Sequence, residues 1–315
     1  MKKILKAPAK INLCLRVNKK LDDGYHDLTM IMQPISLFDT IEIEIIDNKA
    51  NNKVDLDFLN IFNDKRRKNN SEEQINLKCN FSYIPTDDRN LVVKVIKYIF
   101  EKYSIKDQIY VNLKKLIPTG GGLGGGSSDA GTILTFLNNH YNLKLTNNEL
   151  SEIAFMFGAD IPFFIHRKEC ICEGKGEKIT EIEPFNNYFV LIATPNINVS
   201  TKEVYSKIDN YKLTEQKRQQ NDIAFKNCLD AIKKRNLNKL ANNIFNDLEP
   251  VTEDMFYDVK LYKKRLLELG ASSSLMSGSG PSVFGLFNSY FKALNCKNIL
   301  KKENKSSFVF LSRPI

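Results

Sequence analysis

The sequence predicts an α+β protein of two domains, and three observations carry that expectation. The chain has 315 residues, which at ~150 residues per domain is about two domains with substantial cores. Its first stretch alternates apolar and polar residues as strands do, and from about residue 167 the pattern changes to short strands followed by helices and a closing strand-turn-strand. A soft boundary near 166 divides it into residues 1–166 and 167–315. With 42% hydrophobic and 26% charged residues the composition is that of a globular chain, which excludes collagenous, low-complexity and membrane-spanning classes.

Ile11, Leu13, Leu15 and Val17 alternate with Lys10, Asn12, Cys14 and Arg16, which predicts a strand with one buried face. Asp22-Asp23-Gly24 supplies a turn, and the run from Leu37 to Ile46 alternates again. Strand-like pieces such as Val54 to Leu59 and the polar block Asn63 to Gln74 predict a surface excursion over 47–88 that carries no chemistry. A helix is predicted after Asn90, and a strand over Gln108 to Leu113. Thr146 and Glu149 form a capping box before Leu150, Ile153, Ala154 and Phe157, with Gly158 as the expected C-cap and Asp160 just beyond. Strands follow at Cys170 to Glu173 and Tyr188 to Thr194. Helices then occupy much of 201–269, the last of them ending at Gly270, before strands at Ser272 to Met276 and Val283 to Phe287 flank a Gly278-Ser279-Gly280-Pro281 turn.

Seven of the chain's 15 glycines lie between positions 120 and 131. The run Pro118-Thr119-Gly120-Gly121-Gly122-Leu123-Gly124-Gly125-Gly126-Ser127-Ser128 leads into a helical pattern, with Ser127, Ser128 and Asp129 as N-cap candidates. Glycines let backbone amides approach an anion closely, and a helix N-terminus adds unsatisfied N–H groups. That combination cradles a polyphosphate. A dinucleotide fold would need a second strand ending in an acid ~20 residues on, where the capped helix stands instead. A P-loop would need lysine where this loop has Ser127.

The net charge is +9, from 46 basic and 37 acidic residues, but only nine of the bases are arginine. That suits anionic partners generally and selects none. A basic RNA-binding module would show clustered arginine and aromatics, which the chain lacks, so no nucleic-acid partner is expected. Cys14, Cys79, Cys170, Cys172, Cys228 and Cys296 are scattered with no CxxC pair, which predicts a reduced, cytoplasmic protein. Lys6 and Lys10 interrupt the N-terminal apolar run, so neither export nor a membrane partner is expected. His140, His166 and the Cys170-x-Cys172 pair lack metal-site company and read as structural.

Three motifs together resemble the GHMP kinases: Lys6 to Val17, the loop at Pro118 to Ala130, and Ser274 to Phe287. The resemblance implies an N-terminal domain like ribosomal protein S5 domain 2 and a ferredoxin-like C-terminal domain. Asp23-Gly24-Tyr25-His26 and Gly158-Ala159-Asp160-Ile161-Pro162 are similar to the branch that phosphorylates the 2-hydroxyl of a cytidyl-diphosphate methylerythritol in the non-mevalonate isoprenoid pathway. Mevalonate- or homoserine-type acceptors are the alternative; Tyr25-His26 discriminates, since a small acceptor without a base needs no stacking aromatic.

On that resemblance Lys10 and Asp160 become the catalytic pair, and Asn12, Tyr25, His26, Thr201 and Tyr205 contact the small-molecule substrate. Pro118 to Ser128 would take the ATP phosphates, while Asn90 and Lys115 approach the adenosine. Mg²⁺ is expected with ATP, without assigned protein ligands, and the chain would be a monomer or homodimer. An alcohol is a poor nucleophile at neutral pH, so a carboxylate that accepts its proton as it attacks phosphorus is the expected base. An ammonium ~4 Å away at an effective dielectric of ~20 would attract that carboxylate by ~4 kcal/mol before desolvation.

Overall fold

The computed structural model describes residues 2–46, 58, 60–62, 74–211, 214–304 and 307–315. Most of the expected excursion, including the pieces at 54–57 and the polar block at 63–73, lies outside the described residues. The chain groups into two compact units. One comprises Met1–Ala7, Phe38–Ile117 and Gly125–Ile165; the other comprises Pro8–Leu37, Pro118–Gly124 and His166–Ile315. Two long strands, β1 (Lys2–Lys20) and β2 (His26–Ile46), contribute to both.

In the first unit β2 pairs antiparallel with β4 (Gln108–Lys114), from Thr40 opposite Lys114 to Ile46 opposite Gln108. β3 (Ile75–Cys79) adds in parallel to β4. Among the described residues, helices α1 (Leu91–Lys102), α2 (Gly125–His140), α3 (Asn147–Phe155) and α4 (Ile161–His166) accompany this sheet. Ile41, Ile43, Val95, Ile96, Ile99, Ile133, Leu134 and Leu137 are fully buried between strands and helices. The cause is periodic: every second residue of β2 and the i, i+3, i+4 positions of α1 present apolar groups to one side. Thr146 and Glu149 form the reciprocal capping box read from the sequence. Gly158 is not the left-handed C-cap: α3 ends at Phe155, and Met156 takes the cap position with helical backbone angles. Asp160 runs directly into α4, whose first turn accommodates Pro162 because its missing N–H is not needed there.

In the second unit β2 pairs antiparallel with β5 (Cys170–Gly174), which turns back into β6 (Lys178–Glu181). β1 pairs in parallel with β8 (Phe245–Asn246) at Cys14 and Leu15. A separate antiparallel sheet has the order β11-β7-β10-β9, formed by Phe308–Ser312, Phe189–Thr194, Val283–Phe287 and Ser273–Met276. Helices α5 (Thr201–Ile208), α6 (Glu215–Lys233), α7 (Leu237–Ala241), α8 (Glu249–Met255), α9 (Tyr257–Glu268) and α10 (Tyr290–Glu303) complete it. The expectation that β1 buries only one face is corrected. Lys10, Asn12 and Cys14 are as buried as Ile11 and Leu13, because the second face is covered too: Cys14 meets Cys228 of α6, and Lys10 Nζ lies against Gly278.

Glu169 is fully buried and accepts only the Phe185 amide through Oε2, at 2.9 Å, while Oε1 finds no partner among the described residues. Burial therefore raises its carboxyl from an ordinary 4.5 to about 8, against the lowering effect of the Phe185 bond. The folded acid keeps a proton that the unfolded chain has already released above 4.5, so its contribution to stability declines as pH rises from that value to about 8. Glu169→Gln retains an acceptor for Phe185 and removes the titration. Its thermal melting point should match the parent's near pH 5 and exceed it by several degrees at pH 8.5; equal melting at both would refute the assignment.

Candidate active site

The second unit assembles three of the sequence motifs at one place. The Lys10 amide on β1 donates to the Leu123 carbonyl of the glycine loop at 3.0 Å. The Gly122 carbonyl accepts from Ser277 Oγ at 2.9 Å, and the Ser282 amide donates to the Gly121 carbonyl at 3.3 Å. At Gly278 an added Cβ would stand 3.1 Å from the Gly122 oxygen and 3.4 Å from Lys10 Nζ. First strand, glycine loop and the Gly278–Gly280 turn therefore touch one another, with the Lys10 ammonium beside the turn.

This contact needs the absence of side chains. Gly122 has φ +74°, and a Cβ there would fall 2.0 Å from the Ser277 carbonyl oxygen. Both conditions admit only glycine. The turn is braced from behind by Asn246, whose Nδ2 donates to the Met276 and Gly278 carbonyls at 2.8 Å each. Lys10 Nζ donates to Asn12 Oδ1 at 2.6 Å, and Lys10 is only 3% exposed. Asn12, fully buried, reaches the Met30 sulfur at 3.5 Å.

A second group in this unit gathers the aromatic residues. The His26 and Tyr205 rings lie 5.1 Å apart, and His26 Nε2 meets Asp209 Oδ1 at 2.6 Å. Asp209 also takes Lys20, and these two hydrogen bonds, Lys20 first, hold its carboxyl below the usual range. Tyr25 is 59% exposed, with Lys175 Nζ 4.7 Å over its ring. A charged neighbour on one ring face is a favourable cation–π arrangement. Thr201 Oγ1 is bonded to Ser279 Oγ at 2.8 Å, which ties the start of α5 to the Gly278–Gly280 turn.

The first unit holds the remaining site residues. Helix α2 begins at Gly125, so Ser127, Ser128 and Asp129 are its first turn and not its N-cap. Ser128 Oγ is buried there without a hydrogen-bond partner among the described residues. Asn90 caps α1, accepting the Val92 amide at 2.9 Å and donating to the Pro85 carbonyl at 2.7 Å. The neighbouring Leu91 comes within 4.0 Å of a Cβ placed on Gly126. Lys115 is 6% exposed, and its ammonium is shared by the carboxylates of Asp39 and Asp129. Its charge is thus already paired.

Asp160 is half-buried just before α4. That helix is seated on α2 at Gly131, where a Cβ would lie 2.9 Å from Phe164 Cβ and 3.3 Å from the Ile161 carbonyl oxygen. Close helix contact at a glycine fixes Asp160 relative to the α2 start. Asp39, Asp209, Lys175 and Asn246 were not singled out in the sequence. Only Asp39 left a signal: it occupies an inward position in the alternation of Leu37, Ile41 and Ile43, where a charge is out of place.

Family models for the GHMP kinases match twice, the N-terminal domain over residues 90–168 and the C-terminal domain over 228–306. Fold and matched domains define an ATP-dependent small-molecule kinase. A 4-diphosphocytidyl-2-C-methyl-D-erythritol kinase of Clostridium botulinum strain Alaska E43 is 39% identical over 311 residues, covering 99% of each chain. The corresponding protein of strain Langeland is 39% identical over 310 residues, covering 98% of this chain and 99% of its own. A crystal structure of 4-(cytidine 5'-diphospho)-2C-methyl-D-erythritol kinase superposes with TM-score 0.75 at 24% identity, covering 100% of both chains. Homoserine kinase from Cytophaga hutchinsonii superposes at TM-score 0.73 with 16% identity, over 99% of this chain and 94% of that one, a likeness of fold alone. The chain belongs to the 4-diphosphocytidyl-2-C-methyl-D-erythritol kinase family of GHMP kinases.

Proposed function

We propose that the protein transfers the γ-phosphoryl group of ATP to the 2-hydroxyl of 4-diphosphocytidyl-2-C-methyl-D-erythritol, giving the 2-phosphate and ADP. The observation that carries this reading is the contact of Lys10, the Gly121–Leu123 segment and the Gly278 turn, in a chain whose full-length relatives bear that name. Pro118 to Ser128 takes the phosphates, with loop amides and the α2 N-terminus supplying donors. Asn90 borders the nucleotide beside Leu91 and Gly126, and Lys115 contributes by its place under Gly125.

Asp160 accepts the proton of the attacking hydroxyl. Lys10, presented by a buried strand and steadied by Asn12, offsets negative charge at the reacting oxygens. His26, Tyr205 and Tyr25 receive the cytidyl group; the exposed Tyr25 ring offers a stacking face, and Asp209 fixes the orientation of His26. Thr201 lies at the edge of this set through Ser279. The aromatic cluster favours a base-bearing acceptor over mevalonate or homoserine.

No group of three or more His, Cys, Asp or Glu side chains suited to a metal occurs among the described residues. The buried Ser128 Oγ, which has no hydrogen-bond partner among the described residues, would be the protein oxygen for a Mg²⁺ carried in on the phosphates. Such an ion supplies neutralising charge to the β- and γ-phosphates. No helix among the described residues is long and apolar enough to cross a membrane, and all six cysteines are free thiols, which supports work in the reducing cytoplasm.

The test is turnover by the purified protein with Mg²⁺ and ATP against a panel of alcohols. Phosphorylation of the cytidyl acceptor, with at least ~10²-fold lower kcat/KM for homoserine and mevalonate, is expected. Preference for either small alcohol would overturn the acceptor assignment.

A further inference from the structure

The glycine loop leaves the first unit after Ile117 and returns to it at Gly125, and a buried ion cluster joins these two points. Asp39, fully buried on β2, accepts the amides of Leu116 and Ile117 through Oδ1 at 2.5 and 2.8 Å. Its other oxygen takes the Lys115 ammonium. The same ammonium donates at 2.5 Å to Asp129 Oδ2, on the first turn of α2. Asn80 clamps the Lys115 backbone from the other side, accepting its amide at 2.8 Å and donating to its carbonyl at 3.1 Å. A Cβ on Gly125 would lie 3.2 Å from Lys115 Nζ, so the first residue of α2 rests against that ammonium.

Burying three charges is a poor way to gain stability, because desolvation offsets most of the attraction. What the arrangement does supply is geometry. The last residues before the loop and the first turn after it are held to one point, and Asp39 is the only member that grips both the entering backbone and the ammonium. A loop with four glycines among its seven residues would otherwise lose much conformational freedom on enclosing a triphosphate, and restraining its ends beforehand reduces that loss.

We propose that Asp39 is a positioning residue for the kinase reaction: through Lys115 and the Leu116 and Ile117 amides it holds the base of the glycine loop in its nucleotide-binding form. Its loss weakens ATP binding while leaving acceptor binding and the chemical step in place. This rests on the assignment of the loop to ATP made above.

Asp39→Ala and Asp39→Asn are compared with the parent by steady-state kinetics with ATP and the cytidyl acceptor varied in turn, by ADP titration in a calorimeter, and by thermal melting. Asn keeps one oxygen for the two amides and loses the ionic link, so the expected rise in KM for ATP is ~3-fold for Asn and ~10-fold or more for Ala, with kcat within ~2-fold and acceptor KM unchanged. ADP affinity should fall in parallel. A purely structural role would instead lower the melting point and the active fraction, leaving both KM values alone. Unchanged KM for ATP in a folded variant, or equal rises in both KM values, would overturn the proposal; if the Ala variant does not fold, the Asn variant decides. Failure of the parent protein to bind ADP or turn over ATP would sink the loop assignment itself, which separates the two outcomes.

Discussion

Replacing Gly122 with alanine is expected to remove nearly all ATP-dependent turnover, lowering kcat/KM for ATP by ~10²-fold or more. Two independent obstacles act at this position. The backbone stands at φ +74°, which costs an L-residue ~1–2 kcal/mol. The larger obstacle is steric: the new methyl would fall 2.0 Å from the Ser277 carbonyl oxygen and 3.2 Å from the Gly280 nitrogen. Both are main-chain atoms of a turn that Asn246 holds from behind, so neither can swing aside as a flexible side chain would. The loop must lift off the turn, losing the bond from Ser277 Oγ and disturbing the surroundings of Lys10. Gly120→Ala provides the comparison, since its φ is similar at +66° but the nearest atom to its Cβ is Asn198 Oδ1 at 3.8 Å. It should lose far less. Comparable ATP kinetics in Gly122→Ala and the parent would show that the loop and turn need not touch.

Asp160→Asn should lower kcat by ~10²-fold or more while changing ATP affinity little, because the amide matches the carboxylate in size and cannot accept the hydroxyl proton. The substitution is isosteric at a half-buried position, and the seating of α4 on α2 at Gly131 is untouched. A fall in rate therefore reports chemistry and not displacement. Single-turnover measurement with saturating ATP and acceptor separates the chemical step from product release. A rate near that of the parent would remove Asp160 as the proton acceptor and leave it a turn residue before α4.

Sequence signals agree with the structure where the physics is local. The capping box of Thr146 and Glu149, the helix after Asn90 and the strand-turn-strand around Gly278 depend on neighbours within a few positions, and they stand where periodicity placed them. The glycine run stands out in the sequence because so many residues without Cβ have few uses other than close backbone approach. Sequence signals depart from the structure where distant segments intervene. Lys10 and Asn12 looked like the wet face of a strand, yet both are buried, since coverage of a strand's second face depends on what packs there. Ser127 to Asp129 looked like caps, but α2 starts earlier, at Gly125. The pairing of Lys115 has no local signal either, since its partners Asp39 and Asp129 lie 76 and 14 positions away.

The amino-acid sequence alone determined the class of fold, the glycine run and the set of motifs that mark the family, because hydrophobic period, backbone freedom and capping chemistry are written in adjacent residues. Only the tertiary structure decided which of those motifs touch, which charges are already neutralised, and which glycines are irreplaceable. Those properties come from atoms brought within a few ångströms by folding, and neither desolvation nor steric exclusion has a signature in a single segment of chain.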